Sequence, residues 1–455
     1  MTIDPATLVA RAREAQVRQV RFLYCDNGGL IRGKATHLSG LAARLTSGIG
    51  LTVAMQAMSA QDELANVIGM GPVGEIRLAP DPATFVVLPY LPATAAMLVD
   101  MQTLDGQAWD ACPRAFLRRQ LHRLADHELL HGRLRAAFEA EFTLARIDGD
   151  GRLAPLDRSR CFATTGMNAA AAVIDEILIA LEVQGLTPEQ YYAELGHGQH
   201  ELSLCHAEGL AAADQQLLLR ETVRGVAARH GLVASFAPKP WADQAGNGAH
   251  LHFSIWSADG RQHLFADPSA PYGLSGLGRQ FAAGVLEHLP ALVALSCASV
   301  NSYRRLQPHM WSSAFTAWGP DNREAALRLA SPYRGNETAS ANWELKASDA
   351  TGNPYLVLGA ILAAGLDGVD RALALPEPAL VDPTLFSNEE RTARRIQRLP
   401  ASLAEALAAL EADTKLRSQL PALLLTAYSA VKRAEIAHFA DRDVEYELER
   451  HFAIY

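Results

Sequence analysis

The chain has 455 residues, which is too long for one small core and indicates two domains, or one large α/β body with a smaller partner. Its hydrophobic fraction of 49% and its charged fraction of 20% are typical of a soluble globular protein. The net charge of -9 argues against a nucleic-acid partner, because no basic patch offsets the acidic balance.

The segments that could direct the chain to a membrane or an export route are missing from the sequence. Residues 1–16 have no apolar core of the signal-peptide type, and the longest apolar run, residues 355–366, is too short to span a bilayer. The cysteines are odd in number, scattered and without CxxC spacing, which indicates reduced thiols. We therefore expect a cytoplasmic protein without a membrane partner whose free thiols are Cys25, Cys112, Cys161, Cys205 and Cys297.

The predicted elements change in character along the chain. The first hundred residues predict a hairpin of strands 17–24 and 30–36 around the turn 26–29, and short strands at 84–87 and 95–101. Residues 105–113 resemble a linker, and residues 114–131 have helical spacing. Strand and helix patterns then alternate without regular βαβ order. The last third is rich in helical periodicity, over residues 355–375, 402–413 and 424–439.

The segment 136–144 alternates with the period of a strand, so that Phe138 and Phe142 face one way and Glu139 and Glu141 face the other. Two neighbouring carboxylates on a half-buried strand repel each other unless a divalent cation or a shared proton lies between them. The pair by itself is equally consistent with a strand whose outer face is solvated.

A second pair of acids, Glu194 and Glu201, flanks the Gly196/Gly198 loop. Glu201 begins another alternating strand, and the glycines allow Glu194 to fold back towards it. Two exposed loop carboxylates are the alternative. His197 and His200 lie between the two acids but match no zinc spacing, and we predict that both are loop residues.

Two further segments carry the same construction. In residues 246–255, His250, His252 and Ser254 share one strand face behind glycines that permit close approach of a ligand. In residues 343–346, Glu344 and Lys346 share one face. A lone histidine in a strand is usually a buried core residue. Several polar residues that share one strand face are less often core residues and favour a ligand site.

If these strands line one cavity, it holds five carboxylates and one or two histidines, an oxygen-dominated set that favours Mg²⁺ or Mn²⁺ over zinc. Two divalent ions would nearly balance the carboxylate charge. Metals with an arginine cluster are the apparatus of phosphoryl transfer, although the GxxxxGK[ST] loop of P-loop proteins is absent from the sequence. The cations available are Arg304, Arg305, Arg323, Arg328 and Lys346.

The chain resembles the glutamine synthetase family over nearly its full length. The resemblance implies an α+β fold with a small N-terminal β-grasp domain, residues 1–105, and a large catalytic domain of antiparallel strands backed by helices, residues 106–455. It further implies a homo-oligomer, a double-ring dodecamer with active sites between subunits. The motifs that carry it, in order, are the N-terminal hairpin, Pro113–Arg114, the strand with Glu139 and Glu141, Pro238–Lys239–Pro240, the glycine loop and Asn353–Pro354–Tyr355.

The resemblance also implies roles for individual residues in binding ATP, glutamate and two to three Mg²⁺ or Mn²⁺ ions. One ion would be held by Glu141, Glu194 and Glu201, and the next by Glu139, His250 and Glu344. His252, Ser254, Arg323 and Arg328 would contact the nucleotide, with Arg323 and Arg328 at its phosphates, and Gly246, Arg305 and Lys346 would contact the acid substrate. In this family the γ-carboxylate of glutamate attacks ATP, and a nitrogen nucleophile then displaces phosphate from γ-glutamyl phosphate.

The departures from the family pattern concern the nucleophile. Ammonia-using members carry a flap glutamate where this chain has Trp311, and their Asp-Gly-Ser-Ser motif corresponds here to residues 48–58, which contain no acid. An ammonium ion requires carboxylates around it, whereas Trp and Met side chains suit an amine with an apolar tail. A tryptophan ring still attracts a cation through its face, so Trp311 weakens the ammonia hypothesis without excluding it.

On the acid-substrate side, Lys346 replaces an arginine and Ala245 replaces an asparagine of ammonia-using members. Residues 372–420 contain no tyrosine, which argues against regulation by tyrosine nucleotidylation. The leading hypothesis is therefore an ATP-dependent ligase that joins glutamate to an alkyl or aryl amine. The alternatives are an ammonia-using glutamine synthetase and a scaffold without turnover. The complete ligand set argues against the scaffold, because its like charges destabilise a metal-free protein.

Overall fold

The computed structural model describes residues 4–455, so the first three residues of the predicted N-terminal domain lie outside the described part. The smaller domain has a mixed sheet in the order β2-β1-β6-β4-β3, with β5 beside β6. β1 and β6 run parallel and the other pairs are antiparallel. This sheet agrees with the expected β-grasp domain. Its elements are α1 Pro5–Glu14, β1 Gln19–Cys25, β2 Ile31–His37, α2 Leu41–Ser47, β3 Ile49–Thr52, β4 Glu75–Pro80, β5 Val86–Val87 and β6 Thr94–Gln102.

The larger domain is built on a second sheet in the order β14-β15-β16-β13-β7-β10-β9, with β8, β11 and β12 also paired to β7. All its pairs are antiparallel except β14 with β15. Its strands are β7 Gly132–Ile147, β8 Leu153–Pro155, β9 Pro188–Ala193, β10 Gln199–Leu204, β11 Ala207–Glu208, β12 Val233–Ser235, β13 Ala249–Ser257, β14 Trp318–Pro320, β15 Leu327–Leu329 and β16 Trp343–Leu345.

Helices back this sheet, as the α+β expectation requires, and α10 packs against α7 and α3 in the main core. The helices are α3 Pro113–Asp126, α4 Thr164–Ala169, α5 Ala171–Val183, α6 Leu210–Arg229, α7 Gly276–Ser296, α8 Ser302–Arg305, α9 Glu337–Ser340, α10 Pro354–Asp370, α11 Asn388–Ala393, α12 Leu403–Ala412, α13 Thr414–Gln419, α14 Ala422–Phe439 and α15 Val444–Ile454.

The structure corrects three local predictions. Residues 82–84 form a 3₁₀ turn, so the strand predicted at 84–87 is reduced to β5. The helix predicted at 114–131 ends at Asp126. The predicted linker, 105–113, is not a free connection, because Trp109 and Cys112 are buried in the core of the N-terminal domain. The polar residues of this segment favoured the prediction of a linker, although Trp109 and Cys112 are buried.

The sequence motifs Pro113–Arg114 and Asn353–Pro354–Tyr355 form the joint between the domains. Asn353 caps α10 by accepting a bond from the Tyr355 amide at 3.0 Å, and its Nδ2 donates to the carbonyls of Cys25 and Asp26 in the N-terminal hairpin, at 3.0 and 3.1 Å. The Tyr355 hydroxyl donates to Asp214. The prolines at both motifs start helices at a position where a missing N–H costs nothing.

Arg114 completes this joint from the start of α3. Its buried guanidinium is paired with Asp214 of α6 at 2.9 Å and with Asp81 and Asp100 of the N-terminal domain at 2.8 and 3.1 Å. A buried cation surrounded by three carboxylates is stable only as a complete network.

We predict that Arg114→Ala lowers the free energy of unfolding by about 3–5 kcal/mol, because it leaves buried Asp214 without its cation. Arg118→Ala is the matched control. Arg118 pairs only with Asp100, at 2.6 Å, and is 41% exposed, so its loss should cost about 0–1 kcal/mol. Urea denaturation of both variants measures the difference, and equal losses would contradict the network.

Candidate active site

Strand register gathers the predicted site residues onto one face of the larger sheet. On β7, Glu141 lies directly opposite Glu201 of β10, and Glu139 lies directly opposite His250 of β13. Directly opposed residues of neighbouring strands share a face. The two glutamates of β7, two residues apart, therefore point to the same side as both partners.

The same row continues across the sheet. His252 of β13 is opposite Glu344 of β16, which is in turn opposite Arg328 of β15. Five strands thus contribute to one surface.

On one half of this surface, histidines and carboxylates are in contact. His250 Nδ1 lies 3.4 Å from Glu139, 3.6 Å from Glu344 and 3.8 Å from Glu141. His252 Nε2 lies 3.1 Å from Glu139 and 3.9 Å from Glu344. Oxygen and nitrogen atoms of Glu139, His252 and Glu344 all fall within 4.8 Å of one another. His252, expected at the nucleotide, therefore also borders the carboxylate cluster.

The chain itself supplies positive charge to this half. Burial opposes ionisation of Glu344, but Lys346 and His252 outweigh it and lower its pKa to about 2. Burial likewise opposes ionisation of Glu139, yet His252 and His250 hold its pKa well below the usual value. Burial lowers the pKa of His250 to about 4, so its ring is neutral near pH 7, as a metal ligand requires.

In the other half, formed by Glu141, Glu194 and Glu201, nearby positive charge does not outweigh the effect of burial on the carboxyl pKa values. Burial and the nearby Glu141 raise the pKa of Glu194 to about 7. Burial, Glu139 and Glu141 raise the pKa of Glu201 well above its ordinary value. Burial also raises the pKa of Glu141, although Arg305 opposes the shift. These carboxyls repel one another and favour either bound protons or a multivalent cation.

Arg305 reaches the centre of the site from α8. Its Nη2 donates to His250 Nε2 at 2.9 Å and its Nη1 donates to the Ser348 carbonyl at 3.2 Å. A Cβ at Gly248 would lie 2.5 Å from Arg305 Nη2, and a Cβ at Gly246 would lie 2.1 Å from the Pro238 carbonyl. A side chain at Gly246 would clash with the Pro238 backbone, and one at Gly248 would displace the Arg305 guanidinium from this position.

The residues expected at the nucleotide line a cavity of about 590 Å³ on the same face of the sheet. His252 Nδ1 is 2.7 Å from Asn342 Oδ1, and Ser254 Oγ accepts from Trp256 at 3.0 Å. Glu139 opens into this cavity, which joins it to the carboxylate surface. The predicted residues that line it are Glu139, His252, Ser254, Arg323 and Arg328.

Trp311 lies in a loop of residues 307–313, which we call the Trp311 loop. Its side chain is 59% exposed in the single chain. Its amide donates to Glu324 at 2.9 Å, next to Arg323 in the chain. Trp311 has a φ of 53°, in the left-handed region that non-glycine residues adopt only at a cost of about 1–3 kcal/mol.

Sequence reasoning missed two residues that orient the acids. Gln199 Nε2 donates to Glu141 at 2.8 Å and to the Gly246 carbonyl at 2.9 Å, which ties the acid to the glycine loop. The Tyr192 hydroxyl donates to Glu201, its direct partner across the β9–β10 pair. A hairpin centred on Gly196 and Gly198 was the signal that could have revealed Tyr192.

The prediction that His200 is a loop residue was wrong. His200 lies in β10 on the face opposite Glu201, is fully buried and packs beside Phe142 and Tyr191. Burial lowers its pKa to about 4. His197 does lie in the turn between β9 and β10.

The donor set fits hard divalent cations. Carboxylate oxygens dominate, one neutral imidazole is available, and the Glu141 half has raised pKa values that a cation would reverse. Oxygen-rich sets of this kind are typical of Mg²⁺ and Mn²⁺ sites.

Family models match residues 4–451. The glutamine synthetase N-terminal domain matches residues 4–109, and the glutamine synthetase catalytic domain matches residues 110–451. Gamma-glutamylpolyamine synthetase GlnA3 of Streptomyces coelicolor is 38% identical over 437 residues, which cover 95% of this chain and 93% of that protein. Glutamine synthetase of Halobacterium salinarum is 33% identical over 383 residues, 83% of each chain.

Solved structures agree with this assignment. A novel glutamine synthase homolog has a TM-score of 0.86 at 36% identity and covers 96% of this chain and 99% of its own. A GmaS/ADP complex has a TM-score of 0.85 at 30% identity and covers 99% of both chains.

The fold, the site and these matches define an ATP-dependent ligase. The chain belongs to the glutamine synthetase family, whose members use ATP and divalent metal ions. Within residues 4–455, the helices are all too short or too polar to cross a bilayer. The domain boundary at residue 105 stays a prediction, beside the junction of the two family models near residue 109.

We predict that affinity for Mg²⁺ rises with pH between 6 and 8. The pKa of Glu194 is about 7 without metal, so below pH 7 a metal ion must displace its proton, and each unit by which the pH falls below 7 should weaken binding by about tenfold. Isothermal titration calorimetry at three pH values measures the slope.

Glu194→Gln is the matched variant, since it keeps the side-chain shape but has no proton to release. It should bind Mg²⁺ more weakly at pH 8 and show a flatter pH dependence. Affinity independent of pH in the unchanged protein would contradict the assignment of Glu194 to the metal surface.

Proposed function

We propose that the protein is a γ-glutamyl amide synthetase, which activates glutamate with ATP as γ-glutamyl phosphate and joins it to an alkyl or aryl amine. The observation that carries this proposal is an asymmetry of the site. Glu139, Glu141, Glu201 and Glu344 of the proposed phosphoryl-transfer surface lie on strands in register, whereas the flap position that would supply a carboxylate to ammonium carries Trp311.

Six residues would hold the metal ions: Glu141, Glu194 and Glu201 on one half of the surface, and Glu139, His250 and Glu344 on the other. The ions, when bound, would neutralise phosphate oxygens and orient the γ-phosphoryl group for transfer. Mg²⁺ and Mn²⁺ both suit this donor set, and either would also remove the repulsion that raises the pKa values around Glu201.

The remaining residues would position the two substrates. Arg328 and Arg323 line the cavity assigned to the nucleotide, where guanidinium groups stabilise negative charge that develops on phosphate oxygens. Arg305, buried beside the glycine loop, would hold the carboxylate of glutamate, with Gly246 presenting its backbone and Lys346 a second positive charge. The fixed guanidinium keeps the reacting γ-carboxylate in one orientation.

The nitrogen donor is assigned to an amine with an apolar tail. Each methylene of such a tail that becomes buried contributes about 0.8 kcal/mol, and an indole face adds roughly 0.5–2 kcal/mol of attraction to the ammonium group. The relatives support this assignment in part. One is named a gamma-glutamylpolyamine synthetase, whereas others at about the same coverage are named glutamine synthetases.

We also propose that the chain assembles as a double-ring dodecamer, as the family relationship suggests. Ile68 and Val73 of the N-terminal domain, 96% and 84% exposed in the single chain, are apolar side chains of the kind that subunit contacts cover.

The function is tested by ATP-dependent phosphate release with glutamate, scanned against ammonium and a panel of alkylamines, hydroxyalkylamines, diamines and arylamines. We expect kcat/KM for the best amine to exceed that for ammonium by at least about tenfold, since a factor of ten needs only ~1.4 kcal/mol. Mass spectrometry should detect the γ-glutamyl amide. Ammonium as the best nucleophile would instead identify a glutamine synthetase, and no turnover with any nucleophile would favour a scaffold.

We predict that Trp311→Glu shifts the preference towards ammonium. A carboxylate at the flap position binds the compact ammonium ion more strongly than it binds an amine that carries an apolar tail. The ratio of kcat/KM for amine to that for ammonium measures the shift, and about tenfold is expected. Trp311→Phe, which keeps an aromatic face, is the control. An unchanged ratio in Trp311→Glu would show that Trp311 does not border the nucleophile.

A further inference from the structure

Hydrogen bonds fix both ends of the Trp311 loop beside Arg305, a residue of the site. Arg398 donates to the carbonyls of Leu306 and Ala314, at 3.2 and 2.7 Å, and so bridges the two ends of the loop. The Gln307 amide and the Ser312 hydroxyl both donate to the Arg305 carbonyl, at 2.7 and 2.6 Å. The loop therefore starts and ends at fixed positions beside Arg305.

The tip of the loop is held by acids from outside it. Glu324 is only 9% exposed and accepts the Trp311 amide at 2.9 Å. Burial raises the pKa of Glu324, and the bonds from the Trp311 and His309 amides oppose that shift. Asp382 pairs with the His309 ring at 3.2 Å. The side chains of Met310 and Trp311, in contrast, are 48% and 59% exposed. The backbone is held while the apolar side chains remain available for contact.

The backbone of this loop requires such support. His309, Trp311 and Ser313 have φ values of 63°, 53° and 70°. Residues with a Cβ hold left-handed conformations at alternate positions only where surrounding contacts impose them. A charged acceptor makes a stronger bond to an amide than a neutral one does. The Glu324 carboxylate is the acceptor at the central member of the three.

Glu324 also belongs to the segment that carries the phosphate-side arginines. It follows Arg323 directly and precedes β15, which contains Arg328. The Asn322 side chain fixes this segment, since its Oδ1 accepts the Glu324 amide at 3.0 Å and its Nδ2 donates to the Ala379 carbonyl at 2.8 Å. One short, anchored stretch of chain thus connects the nucleotide cavity to the Trp311 loop.

We propose that Glu324 is a positioning residue that fixes the Trp311 loop against the arginine-bearing segment and thereby sets selectivity for the amine. The selectivity part rests on the proposed function, in which Trp311 borders the nucleophile. Glu324 touches no substrate atom in this role. It acts through the backbone of Trp311.

The test compares Glu324→Ala, Glu324→Gln and the exposed-surface control Glu128→Gln. Glu324→Ala should raise KM for the best amine by at least about tenfold and lower the amine-to-ammonium ratio of kcat/KM by a similar factor, while KM for ATP changes by less than about twofold. Glu324→Gln keeps an oxygen acceptor and should show an intermediate effect. Glu128→Gln should match the unchanged protein.

Asp382→Asn removes the charge that pairs with His309 but keeps an oxygen for the bonds from Thr384, so it should shift the same ratio by a smaller factor and guards against misfolding of the Glu324 variants. An equal rise in KM for amine and ATP, or an unchanged amine-to-ammonium ratio in folded variants, would overturn the proposal. A purely structural role for Glu324 predicts the equal rise.

Tryptophan emission separates this proposal from the proposed function. The difference in emission between a protein with Trp311 and the same protein with Trp311→Phe reports the Trp311 indole. The fluorescence anisotropy of this indole should fall in Glu324→Ala, even if the enzyme uses only ammonium as nucleophile. Ammonium as sole nucleophile with a lowered anisotropy would remove the selectivity role and keep the positioning role. Unchanged anisotropy in both Glu324 variants would remove the positioning role as well.

Discussion

Repulsion between carboxylates held on one face of a sheet is the constraint on which this site depends. The register of β7 with its two neighbours places Glu139, Glu141 and Glu201 side by side, and burial strengthens their mutual repulsion. The chain outweighs the effect of burial on one half, where His252 and Lys346 lower the pKa of Glu344. On the other half Arg305 and Lys346 act on Glu141 but do not outweigh burial, and the pKa values of Glu141, Glu194 and Glu201 stay raised.

That asymmetry gives the two halves different behaviour. The Glu139 half is ionised and preorganised over the whole range near neutral pH, because its pKa values lie well below 7. In the proposed metal assignment, the Glu141 half would exchange protons for cations in that same range. Metal occupancy of this half would then depend on pH and ion concentration, while the first half would stay ready for a nucleotide-bound cation.

In the proposed function, the sheet carries phosphoryl transfer, while the Trp311 loop presents exposed side chains to the amine from an anchored backbone. Residues on strands would keep the phosphoryl-transfer groups at fixed distances, and the joint of Arg114, Asp214 and Tyr355 holds the N-terminal domain against that sheet. The loop instead presents Met310 and Trp311 on a backbone anchored from outside. Changing the nucleophile by altering such a loop leaves the strand-borne chemistry intact, which is a common use of loops on rigid scaffolds.

Much of this architecture was predictable from the residues. The period of two placed Glu139 with Glu141 and His250 with His252 on single faces, and those faces are the ones observed. The family resemblance supplied the order of the domains. Element boundaries were less certain, since the end of α3 and the burial of Trp109 depend on contacts with distant parts of the chain.

The sequence by itself determined which residues share a strand face, because side-chain alternation is a local property of extended backbone. Only the tertiary structure decided which faces meet. The pairing of Glu201 with Glu141, the burial of His200 and the contact of Glu324 with the Trp311 amide all depend on register or loop closure between segments that local patterns do not link. The balance of charge across the site follows from those long-range choices.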